Sequence, residues 1–128
     1  MPTSRADSAA VHIPQLGELV LGGWGVSRSP VATAELLCIN DKGESNTPTW
    51  IKIDPMLRTR GYPSAVLYND YIYVASWDEF SVERLSLLSG RPGQWTLISC
   101  SLSSGWYPRS LCVFKGKIVA SGKLKPGH

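Results

Sequence analysis

The chain resembles itself, and this internal repeat restricts its possible folds more than any other feature of the sequence. Four features recur in one order: an arginine, a run ending in two small residues, a glutamate and a tryptophan. They lie at Arg5, Gly22-Gly23, Glu35 and Trp50, and again at Arg60, Ala75-Ser76, Glu83 and Trp95. The unit is about 50 residues long, the size of one supersecondary unit in a repeat architecture. The fold is therefore predicted to consist of copies of one small structure.

Each unit is predicted to form four short antiparallel strands. Apolar, β-branched and aromatic residues recur in runs of about four to six between turn residues, which is typical of strands. The 12 glycines and 9 prolines disfavour long helices. The predicted strands cover residues 9–13, 18–22, 34–39 and 49–53 in the first unit, 64–68, 71–76, 81–87 and 94–98 in the second, and 110–114 and 117–121 in the third. Asn69-Asp70 is the predicted hairpin turn of the second unit, and Gly116 lies in that of the third.

The order of these features resembles the kelch repeat of β-propellers. In that family an arginine precedes the first strand, a glycine pair ends the second, a glutamate lies on the third and a tryptophan opens the fourth. The first unit has all four features, whereas the second has Ala75-Ser76 and the third Ser121-Gly122 at the glycine pair. The resemblance implies an all-β fold, an incomplete kelch-type β-propeller of about two and a half four-stranded antiparallel blades. The blades cover about 9–53, 64–98 and, in part, 109–122.

The repeated residues have a physical role in such a fold. Gly22 and Gly23 permit a close approach of neighbouring backbone and a positive φ where the chain must turn. Trp50 and Trp95 recur at one place in the unit, so both are predicted to be buried where one sheet packs on the next. We therefore predict structural roles for Gly22, Gly23, Trp50 and Trp95. We predict the same role for Glu35 and Glu83.

The sequence offers few groups for catalysis or metal binding. His12 lies in an apolar run and His128 is the last residue, which leaves no plausible histidine base or metal centre. Cys38, Cys100 and Cys112 are widely spaced and are predicted to be small buried hydrophobes in strands, with a redox or metal role as the alternative. We predict no enzyme activity, no metal and no cofactor.

Charge and hydropathy narrow the class of partner. The net charge of +3 is spread along the chain, which predicts neither a nucleic-acid nor a membrane partner. The sequence has no apolar run of about 18 residues, and its first residues lack the apolar segment of a signal peptide. The odd number of cysteines fits a reducing compartment. These features predict a cytoplasmic protein whose partner is another protein or a peptide.

One face of the predicted meander collects the long loops. Strands alternate in direction, so the loop after each second strand and the connection between units lie on the same side. Arginine and aromatic residues in these loops are typical of protein-binding hot spots. The predicted partner-binding residues are Arg28, Arg58, Arg60, Tyr62, Trp77, Asp78, Trp106, Tyr107 and Arg109. Arg5, Arg60 and Arg109 recur before first strands, and for these a structural arginine bonded to loop carbonyls is an equal alternative.

The resemblance also implies a function. Kelch propellers commonly bind short, often acidic, peptide segments on this face, many as substrate receptors of cullin-based ubiquitin ligases. Two alternatives remain open: a segment of an oxidase-like propeller enzyme whose active residues lie in other blades, and an actin-associated structural propeller. The Trp77-Asp78 dipeptide is the mark of another propeller family with a period nearer forty, but it occurs once and outside that family's context.

Ring closure sets a further expectation. A propeller removes exposed sheet edges only by closing a ring of at least four blades. About two and a half blades do not close. We expect the sequence to be a fragment of a longer chain, and the alternative is a ring completed by copies of the same chain.

Overall fold

The computed structural model describes residues 5–38, 49–76, 79–88, 91–98 and 106–124, and for residues 79–80, 106–109 and 122–124 it describes the backbone only. Ten strands lie within these ranges. They are β1 (Ala9–Ile13), β2 (Gly17–Leu21), β3 (Ala34–Cys38), β4 (Thr49–Ile53), β5 (Pro63–Tyr68), β6 (Tyr71–Ser76), β7 (Glu79–Leu88), β8 (Arg91–Ile98), β9 (Trp106–Phe114) and β10 (Lys117–Leu124). In the first two units the strand ends agree with the predicted runs to within about three residues.

The strands pair in chain order into three antiparallel sheets. Sheet 1 contains β1 to β4, sheet 2 contains β5 to β8, and sheet 3 contains β9 and β10. The described residues are thus all-β, with two four-stranded antiparallel sheets and a two-stranded one, and this confirms the predicted fold class of propeller-like blades. In the part of the chain that the structure describes, no helix is long and apolar enough to cross a membrane.

Two-residue hairpin turns in left-handed conformation join β5 to β6 in sheet 2 and β9 to β10 in sheet 3. Asn69 and Asp70 have φ angles of 47° and 64°, and Lys115 and Gly116 have 49° and 72°. Two consecutive positive φ angles are the pattern of a type I′ turn, whose twist matches that of the flanking strands. Both predicted turns are confirmed.

Sheet 1 has a longer turn, and this corrects the alignment of the repeat. Residues 14–16 connect β1 to β2, one residue more than in sheet 2. When the strand pairs of the two sheets are matched, β2 is therefore shifted by one position relative to β6 in the alignment of the repeat. Gly22 corresponds to Ser76, so the alignment of the glycine pair on Ala75-Ser76 is wrong by one residue.

The core lies between successive sheets. Sheets 1 and 2 share one apolar cluster, which includes Leu19, Leu21, Leu36, Ile72, Leu85 and Trp95. A smaller cluster of Ala75, Val82 and Leu111 joins sheets 2 and 3. Each sheet therefore buries its apolar residues against the next one, as expected for a stack of blades.

The two repeated tryptophans have different environments. Trp95 is 8% exposed, and its indole N–H donates to the carbonyl oxygen of Asp54, just after sheet 1, at 2.9 Å. It lies where sheets 1 and 2 pack, as predicted. Trp50 is half-buried and pairs with Leu37 on the face of sheet 1 that points away from sheet 2. The burial predicted for Trp50 is not found within sheets 1 to 3.

Candidate partner-binding face

Two segments of irregular backbone lie together at one end of the stack. They are the β2–β3 loop, residues 22–33, and the connection from sheet 1 to sheet 2, residues 54–62. The N–H of Gly23 donates to the carbonyl of Arg60 at 2.8 Å, and the N–H of Arg60 donates to that of Val31 at 3.1 Å. The prediction that these segments share a face is confirmed, and we call their common surface the loop face.

The glycine pair permits this close packing of backbone. Gly22 and Gly23 have φ angles of 59° and 96°, which L side chains rarely adopt. A Cβ atom on Gly22 would lie 2.8 Å from the carbonyl oxygen of Arg60, and one on Gly23 would lie 2.4 Å from that of Ala6. Neither position has room for a side chain. The predicted role of the pair is confirmed.

Trp24 holds the base of the β2–β3 loop. Its backbone exchanges two hydrogen bonds with Ala6, of 2.8 and 3.0 Å, and forms a bridge to Pro30 as well. Its ring packs edge-on against Tyr62, with 5.6 Å between the ring centroids and 67° between the planes. Tyr62 remains 40% exposed. Such a pair presents rigid apolar rings whose burial by a partner costs little conformational entropy.

The tip of the β2–β3 loop is exposed but held by backbone hydrogen bonds. Val26 is 87% exposed, and Arg28 is exposed with a φ of 59°. The N–H of Gly25 donates to the carbonyl of Ser29, and the N–H of Arg28 donates to that of Gly25, both at 3.0 Å. These bonds stabilise a left-handed conformation that is unfavourable for arginine. The Arg28 side chain therefore extends from a fixed backbone.

Arg58 is anchored from below in a similar way. Its backbone N–H donates to Oε2 of Glu83 at 3.2 Å, and the N–H of Leu57 donates to Oε1 at 2.6 Å. The side chains of Leu57 and Arg58 are both exposed, and the guanidinium of Arg58 reaches the Leu57 carbonyl at 3.3 Å. A buried carboxylate thus fixes the backbone beneath an exposed cation and an exposed apolar side chain.

The sequence left two roles open for Arg60, contact with a partner or structural support, and the structure shows structural support. Its side chain is fully buried, and its Nε donates to Oε2 of Glu83 at 2.9 Å. Its Nη1 donates to the carbonyl of Ser81 at 2.7 Å and lies 3.3 Å from Oγ of Ser76. No part of the side chain is left to contact a partner. The structure therefore corrects the assignment of Arg60 to the partner-binding set.

Arg5 makes the equivalent contacts in sheet 1. It donates to the carbonyl oxygens of Thr33 and Gly22, at 2.9 and 3.2 Å, and forms a buried ion pair with Glu35. The sequence marked the arginines and the glutamates as recurrent but did not pair them with each other. The longer β2–β3 loop makes the chain separation of the pair unequal in the two units. Recurrence of opposite charges at fixed strand positions was the available signal.

Other predicted contact residues cannot be placed on the loop face. Trp77 and Asp78 lie outside the described residues. Trp106, Tyr107 and Arg109 lie in β9, where only their backbone is described. Arg109 is at a bulge in β9, because its neighbours pair with adjacent residues of β10. It therefore does not precede its strand as Arg5 and Arg60 do.

Three further residues of the loop face were missed by the sequence analysis. Trp24, Val26 and Leu57 belong to the loop face, and the last two are exposed apolar side chains. Trp24 lies directly after the glycine pair, which was interpreted only as a turn. The signal that could have identified Trp24 was an aromatic residue in the same loop as Arg28.

The described residues offer no metal centre. Among them, no group of three His, Cys, Asp or Glu could hold a metal ion. Cys38 is half-buried, but Cys112 is exposed, so the prediction that it is a buried hydrophobe is wrong; Cys100 lies outside the described residues. A groove of about 530 Å³ runs between sheets 1 and 2, lined mainly by aliphatic side chains with Asp54 and Arg91.

Comparison with known proteins adds no relative. Neither a protein-family model nor a curated protein matches the chain. The repeat and the loop face are therefore the observations from which a function must be argued. Of the two, the loop face is the one with exposed arginine and apolar side chains.

Proposed function

We propose that the chain is a kelch-type propeller segment that binds a protein partner through its loop face, and that the partner presents an extended acidic peptide. The observation that carries the proposal is the pair of exposed arginines, Arg28 and Arg58, on two hydrogen-bonded segments beside the Trp24–Tyr62 ring pair. Guanidinium groups bind carboxylates through paired hydrogen bonds. Aromatic rings supply the apolar area that such contacts need.

The fixed backbone supports binding in preference to a purely structural role. A mobile loop must lose conformational entropy when a partner binds, and this loss weakens the complex. Here the backbone at Gly23, Arg28 and Arg58 is held by hydrogen bonds before any partner arrives. The exposed side chains above it, including Val26 and Leu57, are not needed to maintain that backbone. A surface whose supports are buried and whose contacts are exposed is suited to recognition.

Binding of an array of ten-residue peptides rich in Asp, Glu and aromatic residues tests the proposal. We expect the full chain to bind acidic members more tightly than matched basic members, and less tightly as salt increases. Arg28→Gln combined with Arg58→Gln should weaken that binding by about 5- to 150-fold, which corresponds to about 1 to 3 kcal/mol.

Arg91→Gln combined with Lys115→Gln is the matched control. Like the loop-face variant, it removes two positive charges and changes one residue with positive φ. That residue is Lys115, with a φ of 49°, and its counterpart in the loop-face variant is Arg28. Both residues are exposed and lie outside the loop face. Equal losses in the two double variants would refute a specific site. Binding to actin filaments that is unaffected by the loop-face variant would favour the structural alternative.

A further inference from the structure

The face of sheet 1 that points away from sheet 2 repeats the surface by which sheet 2 packs on sheet 1. We call it the outer face of sheet 1. Its residues Val20, Glu35, Leu37 and Trp50 correspond to Val74, Glu83, Leu85 and Trp95 of sheet 2. In sheet 2 all four are buried, whereas Val20, Leu37 and Trp50 are only half-buried. Nothing within the described residues packs on this outer face as sheet 1 packs on sheet 2.

Glu35 is the buried charge of this outer face. The carboxylate of Glu83 accepts hydrogen bonds at both oxygens, from the N–H groups of Leu57 and Arg58 and from Arg60. Glu35 is equally buried and pairs with Arg5, but no donor in the described residues reaches its Oε2. The backbone donors to Glu83 belong to residues 57 and 58, and the repeat places residues 2 and 3, which lie outside the described residues, at the equivalent positions for Glu35.

The opposite end of the stack presents the complementary kind of surface. We call the face of sheet 3 that points away from sheet 2 its outer face. Its residues Cys112, Phe114 and Val119 correspond to Val66, Tyr68 and Tyr73 of sheet 2. Those residues of sheet 2 pack toward sheet 3, and the hydroxyl of Tyr68 donates to the carbonyl of Gly116. Phe114 is 60% exposed.

The two outer faces also carry opposite charges at matching positions. Glu18 stands where sheet 2 has Ile72, and Lys117 stands where sheet 2 has Tyr71. Glu18 is the second residue of β2 and Lys117 is the first residue of β10, so both lie near the hairpin end of their sheets. Glu18 and Lys117 would therefore meet if the outer face of sheet 3 covered that of sheet 1. Opposite charges across an interface favour one register over others.

We propose that a second copy of this chain packs head to tail on the first, with the outer face of its sheet 3 against the outer face of sheet 1. The contact continues the packing that already joins sheets 1, 2 and 3 within one chain. It uses different surfaces on the two copies, so it is a heterologous interface that leads to a ring or to longer assemblies. This inference is independent of the function proposed for the loop face.

Sedimentation velocity of the full chain over a range of concentrations tests the interface. The wild-type sedimentation coefficient should rise with concentration. Phe114→Lys should remain monomeric at concentrations where Leu88→Lys still associates. Leu88 is also an exposed apolar residue, but it lies at the end of β7, on neither outer face. A wild-type chain that is monomeric throughout, or equal association of the two variants, would overturn the proposal.

A charge exchange tests the register. Glu18→Lys alone and Lys117→Glu alone should each weaken association, because each places like charges opposite one another. A mixture of the two variants should associate with the variants alternating, because each junction between unlike variants pairs opposite charges, native in one order and swapped in the other. The variant carrying both changes should recover association at every junction. Both side chains are exposed, so folding, checked by circular dichroism, should be unchanged. Failure of the double variant to recover, with folding intact, would contradict the proposed pairing.

Discussion

At the scale of single residues, one buried carboxylate holds the connection between sheets 1 and 2. Glu83 accepts the backbone N–H groups of Leu57 and Arg58 as well as Nε of Arg60. A buried charge of this kind is tolerated only because it is paired and hydrogen-bonded. The arginine and glutamate side chains that recur in the sequence thus form buried ion pairs. The loop face depends on these pairs because Glu83 holds part of its backbone.

Glu83→Gln is expected to destabilise the chain by about 3 to 5 kcal/mol, because it leaves the Arg60 cation buried without its counter-charge. The free energy of unfolding measured in urea checks this. Glu18→Gln is the matched control: Glu18 is partly exposed and pairs with His12 at 2.5 Å, so its loss should change stability by less than about 1 kcal/mol. Similar values for the two variants would contradict the structural role of Glu83.

Gly23 and Gly116 separate two reasons for requiring glycine. Both have positive φ, but a Cβ on Gly23 would lie 2.4 Å from the carbonyl oxygen of Ala6, whereas one on Gly116 meets nothing within 4 Å. Gly116→Ala should therefore cost about 1 to 2 kcal/mol for the left-handed conformation alone. Gly23→Ala should cost clearly more, because Ala6 must also move. Thermal unfolding of both variants measures the difference, and equal costs would show that the close approach is unimportant.

At the scale of the strands and sheets, packing between sheets distinguishes the two repeated tryptophans. Trp95 is buried between sheets 1 and 2, whereas Trp50 is half-buried on the outer face of sheet 1. Trp95→Ala should destabilise the chain by about 3 to 5 kcal/mol through lost core packing. Trp50→Ala should cost less when measured at concentrations low enough to keep the chain monomeric. A larger loss for Trp50 would show that its outer face is covered within the chain itself.

The sequence predicts the strands well because its turn signals are local. The Asn69-Asp70 turn and the apolar runs on either side of it follow from short-range preferences, and the strand ends agree closely. The alignment error at Gly22 arose because residues 14–16 form a three-residue turn, which only the strand pairing reveals. The side-chain roles needed three-dimensional contacts, since Arg60 and Glu83 come together only when sheet 2 is folded.

At the scale of the whole molecule, sheets 1 and 2 and the loop face are joined by hydrogen bonds between segments that are distant in the chain. Gly23 and Val31 of the β2–β3 loop bond to Arg60, and Trp95 of sheet 2 bonds to Asp54 after sheet 1. The same segments that would contact a partner therefore also connect the sheets. The loop face should accordingly be as stable as the stack that carries it.

Native-state hydrogen exchange tests this central claim most directly. The backbone amides of Gly23, Met56 and Arg60 donate to carbonyls of neighbouring segments of the loop face. We expect them to exchange only when the stack opens, with free energies within about 1 kcal/mol of those of amides in β2 and β6. Exchange of the three amides at the rate of unstructured peptide, while the strand amides remain protected, would contradict the account.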